Sequence, residues 1–145
     1  MNLTTEKLYP YVLAVGTVAV AWWLGFQFPV SDGKPLVEPI LTNGITIASI
    51  IIGLLTASLT LLPALDSPIM RAVRKSGYIL VLNRYIAEGI ASSLVFAVLS
   101  FAGFWVQERH WFPLAWLGFA VLVVATFVRI GKMVFVISSM SAPKS

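Results

Sequence analysis

An all-α fold, an integral membrane four-helix bundle running up-down-up-down, follows from three features of the sequence. Of the 145 residues, 59% are hydrophobic and only 11% charged, against about 45–50% and about 25% in ordinary globular chains. Four stretches carry no charge, at 8–31, 39–65, 89–107 and 110–128, and each comes close to or exceeds the roughly 20 residues that cross a hydrocarbon core. The connectors between them are too short for a soluble domain. Residues 1–145 therefore read as one domain, with consecutive helices as antiparallel neighbours.

The first helix is expected over about 8–30, around YVLAVGTVAVAWWLGF. Its apolar core is long and its leader MNLTTEK has no basic cluster, which suits a retained helix better than a cleaved signal. In lipid the hydrophobic effect does not pull helices together, so small residues and hydroxyls at helical spacing mark contact faces. Here Ala14, Thr17, Ala21 and Gly25 form such a face.

The second helix, 40–64, has the clearest stripe: Thr42, Thr46, Ser49, Gly53, Thr56 and Thr60, spaced 4, 3, 4, 3 and 4. A 3.5-residue repeat is the mark of a seam between helices crossing with a left-handed supercoil. Two readings stay open. The stripe is a packing seam with hydroxyls bonded to backbone carbonyls, or it lines a polar path when several copies assemble. Gly89, Ser93, Ala97, Ser100 and Gly103 line one side of the third helix (86–107), and Ala115, Gly118 and Ala125 one side of the fourth (111–134).

Between the second and third helices lies LDSPIMRAVRKSGYILVLNRYIAEGI. Asp66, Ser67 and Pro68 make a helix start, with a capping side chain before a first-turn proline. A short amphipathic cytoplasmic helix follows, with Ile69, Met70 and Val73 on one side and Arg71, Arg74 and Lys75 on the other, ended by Ser76 and Gly77. Laid on an anionic inner leaflet, it gains about 1 kcal/mol per basic residue. The apolar string from Tyr78 to Leu82 then needs a cover: the interface, an extension of the third helix, or another subunit. Together with Arg84, these residues form the candidate contact surface for membrane or partner.

Orientation follows from the basic residues. Lys7, Arg71, Arg74, Lys75, Arg84, Arg129, Lys132 and Lys144 fall on one side, and only Lys34 and Arg109 on the other. The positive-inside rule then places both termini in the cytoplasm of a bacterial-type inner membrane. Trp22, Trp23, Trp105, Trp111 and Trp116 all lie towards the outer face, as an interfacial aromatic belt or, alternatively, as a ligand cage. Two charges stand within helix ends. Glu88 and Arg129 lie at matching depth, counted from the turn at Glu108 and Arg109, which allows an intramembrane ion pair. In the competing arrangement Glu88 pairs with Arg84 on its own helix and Arg129 snorkels to the headgroups.

Much chemistry is missing. There is no cysteine and one histidine, His110, so thiolate and bis-histidine sites are excluded and neither metal nor cofactor is expected. No carboxylate pair, activated nucleophile or phosphate loop is present, and the basic residues serve topology rather than nucleic acid. In size and span number the chain resembles the small multidrug-resistance exporters in outline. Their coupling depends on a membrane-embedded glutamate in the first helix, and residues 11–26 contain no acid. The expected function is therefore non-enzymatic: helix-face association, as a homo-oligomer or an accessory subunit of a larger membrane complex. The alternative is a pore former, holin-like or a host-defence effector, lined by Thr42 to Thr60.

Overall fold

The computed structural model describes residues 3–28, 30–31, 34–64, 78–106 and 108–139. Four helices account for most of them: α1 (Leu3–Trp23), α2 (Val37–Ala64), α3 (Tyr78–Val106) and α4 (Phe112–Ser139). Between α1 and α2 a small antiparallel ladder joins β1 (Val30–Ser31) to β2 (Lys34–Pro35), with Val30 opposite Pro35 and Ser31 opposite Lys34. The basic segment containing Ile69, Met70, Arg71, Val73, Arg74 and Lys75 lies outside the described residues.

Three helices are long and apolar enough to cross a membrane, over Val37–Thr60, Leu80–Val106 and Phe112–Phe135. The apolar part of α1 is shorter, Leu8–Trp23. Rather than continuing to residue 30, α1 stops at Trp23. Gly25 adopts φ 66°, a left-handed conformation that a side chain resists. Its N–H donates to the Trp22 carbonyl at 3.1 Å, and the Phe26 N–H to the Ala21 carbonyl at 2.8 Å. These two bonds form a Schellman cap, which satisfies carbonyls that the helix end would otherwise leave open. Beyond the cap, Phe28 turns inward, its ring centroid 6.0 Å from that of Phe112 and 5.9 Å from that of Trp116.

The helices pack in the order α2, α3, α4, α1, with a slight touch between α2 and α4. Consecutive helices are neighbours in two cases, but α1 and α2 do not pack on each other. With the hairpin and the segment around Phe28 between them, α1 settles on α4 instead. Within α2 the buried residues are Val37, Leu41, Gly44, Ala48, Ile51 and Leu55, again spaced 4, 3, 4, 3 and 4. Ala48, Ile51 and Leu55 of this seam enter a trough made by Leu82, Ile86 and Phe96 of α3 and Val123 and Ile130 of α4, while Val37 and Leu41 pack with Phe28 and Phe112. Close approach depends on glycine. A Cβ on Gly103 would lie 2.4 Å from Phe112 Cζ, and one on Gly89 would lie 2.8 Å from Leu55 Cδ1. In lipid such contacts hold helices together through the many small dispersion gains of close packing. One polar bond adds to them: Trp116 Nε1 donates to Ser100 Oγ at 2.9 Å.

Candidate functional site

The stripe Thr42, Thr46, Ser49, Gly53, Thr56 and Thr60 is exposed along its whole length. Packing within the chain uses the other repeat instead, so the stripe is no seam of this bundle. Each stripe position lies five residues after a position of the buried seam, which at about 100° per residue places the two faces about 140° apart. Three of the stripe's five hydroxyls turn back on their own helix. Thr46 donates to the Thr42 carbonyl, Ser49 to that of Ile45 and Thr60 to that of Ala57, each at 2.9 Å. That removes these three donors from direct contact with lipid along a ridge of small side chains. On the other helices, Gly89, Ser93, Ser100 and Gly103 are buried, as are Gly118, Ala125 and Ala21.

A charged cluster sits where the start of α3 meets the end of α4, at what is here termed the arginine end. Arg129 Nη2 donates to Glu88 Oε2 at 2.7 Å, and the Tyr11 hydroxyl of α1 donates to Glu88 Oε1. Both carboxylate oxygens are therefore occupied, by partners from two other helices. Arg129 is 3% exposed and Glu88 30%, and the guanidinium lies 4.1 Å from the centroid of the Tyr85 ring. A charge in a helix interior is tolerated only when paired and hydrogen-bonded. Pairing here is incomplete: Arg129 Nε and Nη1, the Tyr85 hydroxyl and Asn83 Oδ1 are buried without a hydrogen-bond partner among the described residues. Arg84 is exposed one turn before Glu88, and Lys132 Nζ lies 5.8 Å from the Tyr9 ring centroid.

Several candidate contact residues occupy other places. Tyr78 begins α3, so the apolar string is the first turn of that helix rather than a separate patch. Leu82 is 2% exposed and belongs to the core, because its face of α3 turns towards the trough that receives α2. Tyr85 is buried with it. At the opposite end Trp22, Trp23, Trp105 and Trp111 are exposed. Trp116 is not among them. It lies inside against Phe96, with ring centroids 5.3 Å apart, and is fixed by Ser100.

Two cavities beside α1, sharing Tyr11 as a lining residue, make up its groove. The upper one, about 480 Å³, is walled by Ala14, Val18 and Trp22 of α1 and by Ala115, Gly118 and Leu122 of α4. A lower chamber of about 570 Å³ is lined by Leu8 of α1 and by Arg84, Tyr85 and Glu88 of α3. Sequence reasoning identifies neither this groove nor Tyr11, whose partner Glu88 is far away in the chain. Among the described residues no cluster of His, Asp or Glu is placed to hold a metal ion.

Fold and faces together define a small, all-α, multi-pass membrane protein held together by helix packing. No known protein family, curated protein or solved structure matches this chain.

Proposed function

We propose that the protein works without catalysis, by docking the exposed face of α2 against a further membrane helix, as a homo-oligomer or as an accessory subunit of a larger membrane assembly. One observation carries the proposal. The stripe from Thr42 to Thr60 is exposed throughout and repeats, position for position, the spacing of the seam that α2 already uses to pack. A face of small residues, three of its hydroxyls bonded internally, lets a second backbone come close, and close approach is what drives association in lipid. Such a ridge is complementary to its own copy across a two-fold axis.

The excess of basic residues at the arginine end supports a cytoplasmic location for that end, against an anionic leaflet. The pore reading places the same stripe around a water path. Against it stands the donation of hydroxyls at Thr46, Ser49 and Thr60 to their own backbone, which leaves only acceptor lone pairs to face water at those three positions.

The test uses the full chain carrying Thr46→Leu and Thr56→Leu, reconstituted into dye-loaded liposomes alongside the unaltered protein. Intermolecular energy transfer between labelled copies, abolished by the double substitution with no dye loss from either sample, supports docking through α2. Dye loss that the substitution suppresses supports the pore. If energy transfer is unchanged and a partner is still recovered in mild detergent, the α2 face is not the contact.

A further inference from the structure

We infer that the groove between α1, α3 and α4 is a binding site for one anionic phospholipid, with its phosphate in the lower chamber and one acyl chain along α1. This site is on the far side of the chain from the α2 stripe and does not depend on it.

The shape matches the two halves of such a molecule. The upper part is almost wholly apolar, and its width comes from small residues, Ala14 on one wall and Ala115 and Gly118 on the other. From Tyr11 to Trp22 the helix rises roughly 16 Å, close to the roughly 15 Å of one leaflet's hydrocarbon. The change from apolar to polar occurs at Tyr11, which lines both chambers. An acyl chain therefore runs in the upper part while its headgroup stays at the arginine end.

Charge selects an anionic head. Among the described side chains near this end, the cations Arg84, Arg129 and Lys132 face a single carboxylate, Glu88. Both oxygens of Glu88 are already engaged, by Arg129 and Tyr11, so its charge is matched and the excess is positive. Arg84 lines the lower chamber and offers a forked set of donors suited to phosphate oxygens. Basic pockets between membrane helices are known sites for anionic headgroups.

The experiment is native mass spectrometry of the full-length protein, delipidated in detergent and titrated with phosphatidylglycerol or with phosphatidylcholine of identical chains. One phosphatidylglycerol should be retained about tenfold more tightly than phosphatidylcholine. Arg84→Gln should remove most of that preference, and Ala115→Phe, which fills the apolar part, should weaken retention of both lipids. Excess inorganic phosphate should not displace the lipid, because the acyl chain supplies much of the hold; displacement would identify a free-anion site and overturn the lipid assignment. Arg84 is the exposed cation that lines the lower chamber, so unchanged selectivity in Arg84→Gln refutes the proposal. Equal retention of the two lipids by the unaltered protein refutes it as well, since an ordinary annulus behaves that way.

Discussion

Breaking the pair between Glu88 and Arg129 should cost very different amounts from its two sides. Arg129 is 3% exposed, whereas Glu88 is 30% exposed and keeps a second partner in Tyr11. Glu88→Gln leaves a guanidinium in the bundle without a counter-charge. Removing one member of a buried pair costs about 3–5 kcal/mol, and the retained amide oxygen places the expected loss near the lower end, about 3 kcal/mol. The Tyr85 face at 4.1 Å is present before and after, so it offsets nothing new.

Arg129→Met leaves a carboxylate that water can reach and that Tyr11 still holds. Its expected cost is about 1–2 kcal/mol, at or below the lower end of the range for one charged hydrogen bond. The double variant removes both charges, and replacing a buried pair by apolar groups is often close to neutral, so its loss should stay near about 1 kcal/mol. The coupling energy of the cycle is then about 3–4 kcal/mol, at the upper end of what residues in one network show. The assay is equilibrium unfolding in mixed micelles, followed by tryptophan fluorescence. A larger loss for Arg129→Met than for Glu88→Gln, or a double variant whose loss adds the two single losses, would show that burial at this pair has been misjudged.

Two further substitutions probe the helix contacts by the same unfolding assay. Gly103→Leu forces a side chain to where a Cβ alone would lie 2.4 Å from Phe112 and 2.9 Å from Leu41, and overpacking should destabilise the protein by about 1–3 kcal/mol. By contrast, Gly53→Leu, at a glycine with nothing within 4 Å of its Cβ position, should leave the isolated chain within about 0.5 kcal/mol of the unaltered one. Trp116→Phe removes the donor to Ser100 and leaves a buried hydroxyl unmatched, at an expected cost of about 1–3 kcal/mol. Adding Ser100→Ala to Trp116→Phe should recover part of that loss, and failure to recover any would mean the bond contributes nothing beyond packing.

Much of the architecture can be read from the sequence because absence of charge is a strong signal over the length of a membrane helix. The depth of Glu88 and Arg129 is readable too, since counting residues from a tight turn is counting helical rise. Tyr11 leaves no comparable trace: it is uncharged, lies on a remote helix and meets Glu88 only because α1 settles on α4. The end of α1 is hidden for another reason. Residues 24–28 are as apolar as the helix before them, and apolarity alone does not separate helix from extended chain. Only Gly25, followed at a short distance by Pro29, marks the stop.

The two faces of α2 are the most instructive case, because both have the same period and periodicity cannot choose between them. Volume chooses. Leu55 fills the hollow opened by Gly89 on α3, and Leu41 the one opened by Gly103, whereas threonines on that side would leave those hollows unfilled. Small residues on a helix mark the place where a partner comes near, but the partner need not belong to the same chain.

The packing order α2, α3, α4, α1 gives this chain two flanks of different chemistry rather than a closed ring. One flank is the hydroxyl ridge of α2, suited to another helix. The other is the groove beside α1, whose floor is apolar and whose lower end is basic, suited to a lipid. A two-fold dimer formed through α2 uses the same ridge twice and leaves both α1 grooves facing the bilayer. Binding at one flank therefore does not block the other, and the two can be separated by substitution. Thr46→Leu with Thr56→Leu should abolish association while retaining selective phosphatidylglycerol, and Arg84→Gln should do the reverse. If either substitution removes both properties, the lipid is part of the dimer contact, and the groove must face the partner rather than the open membrane.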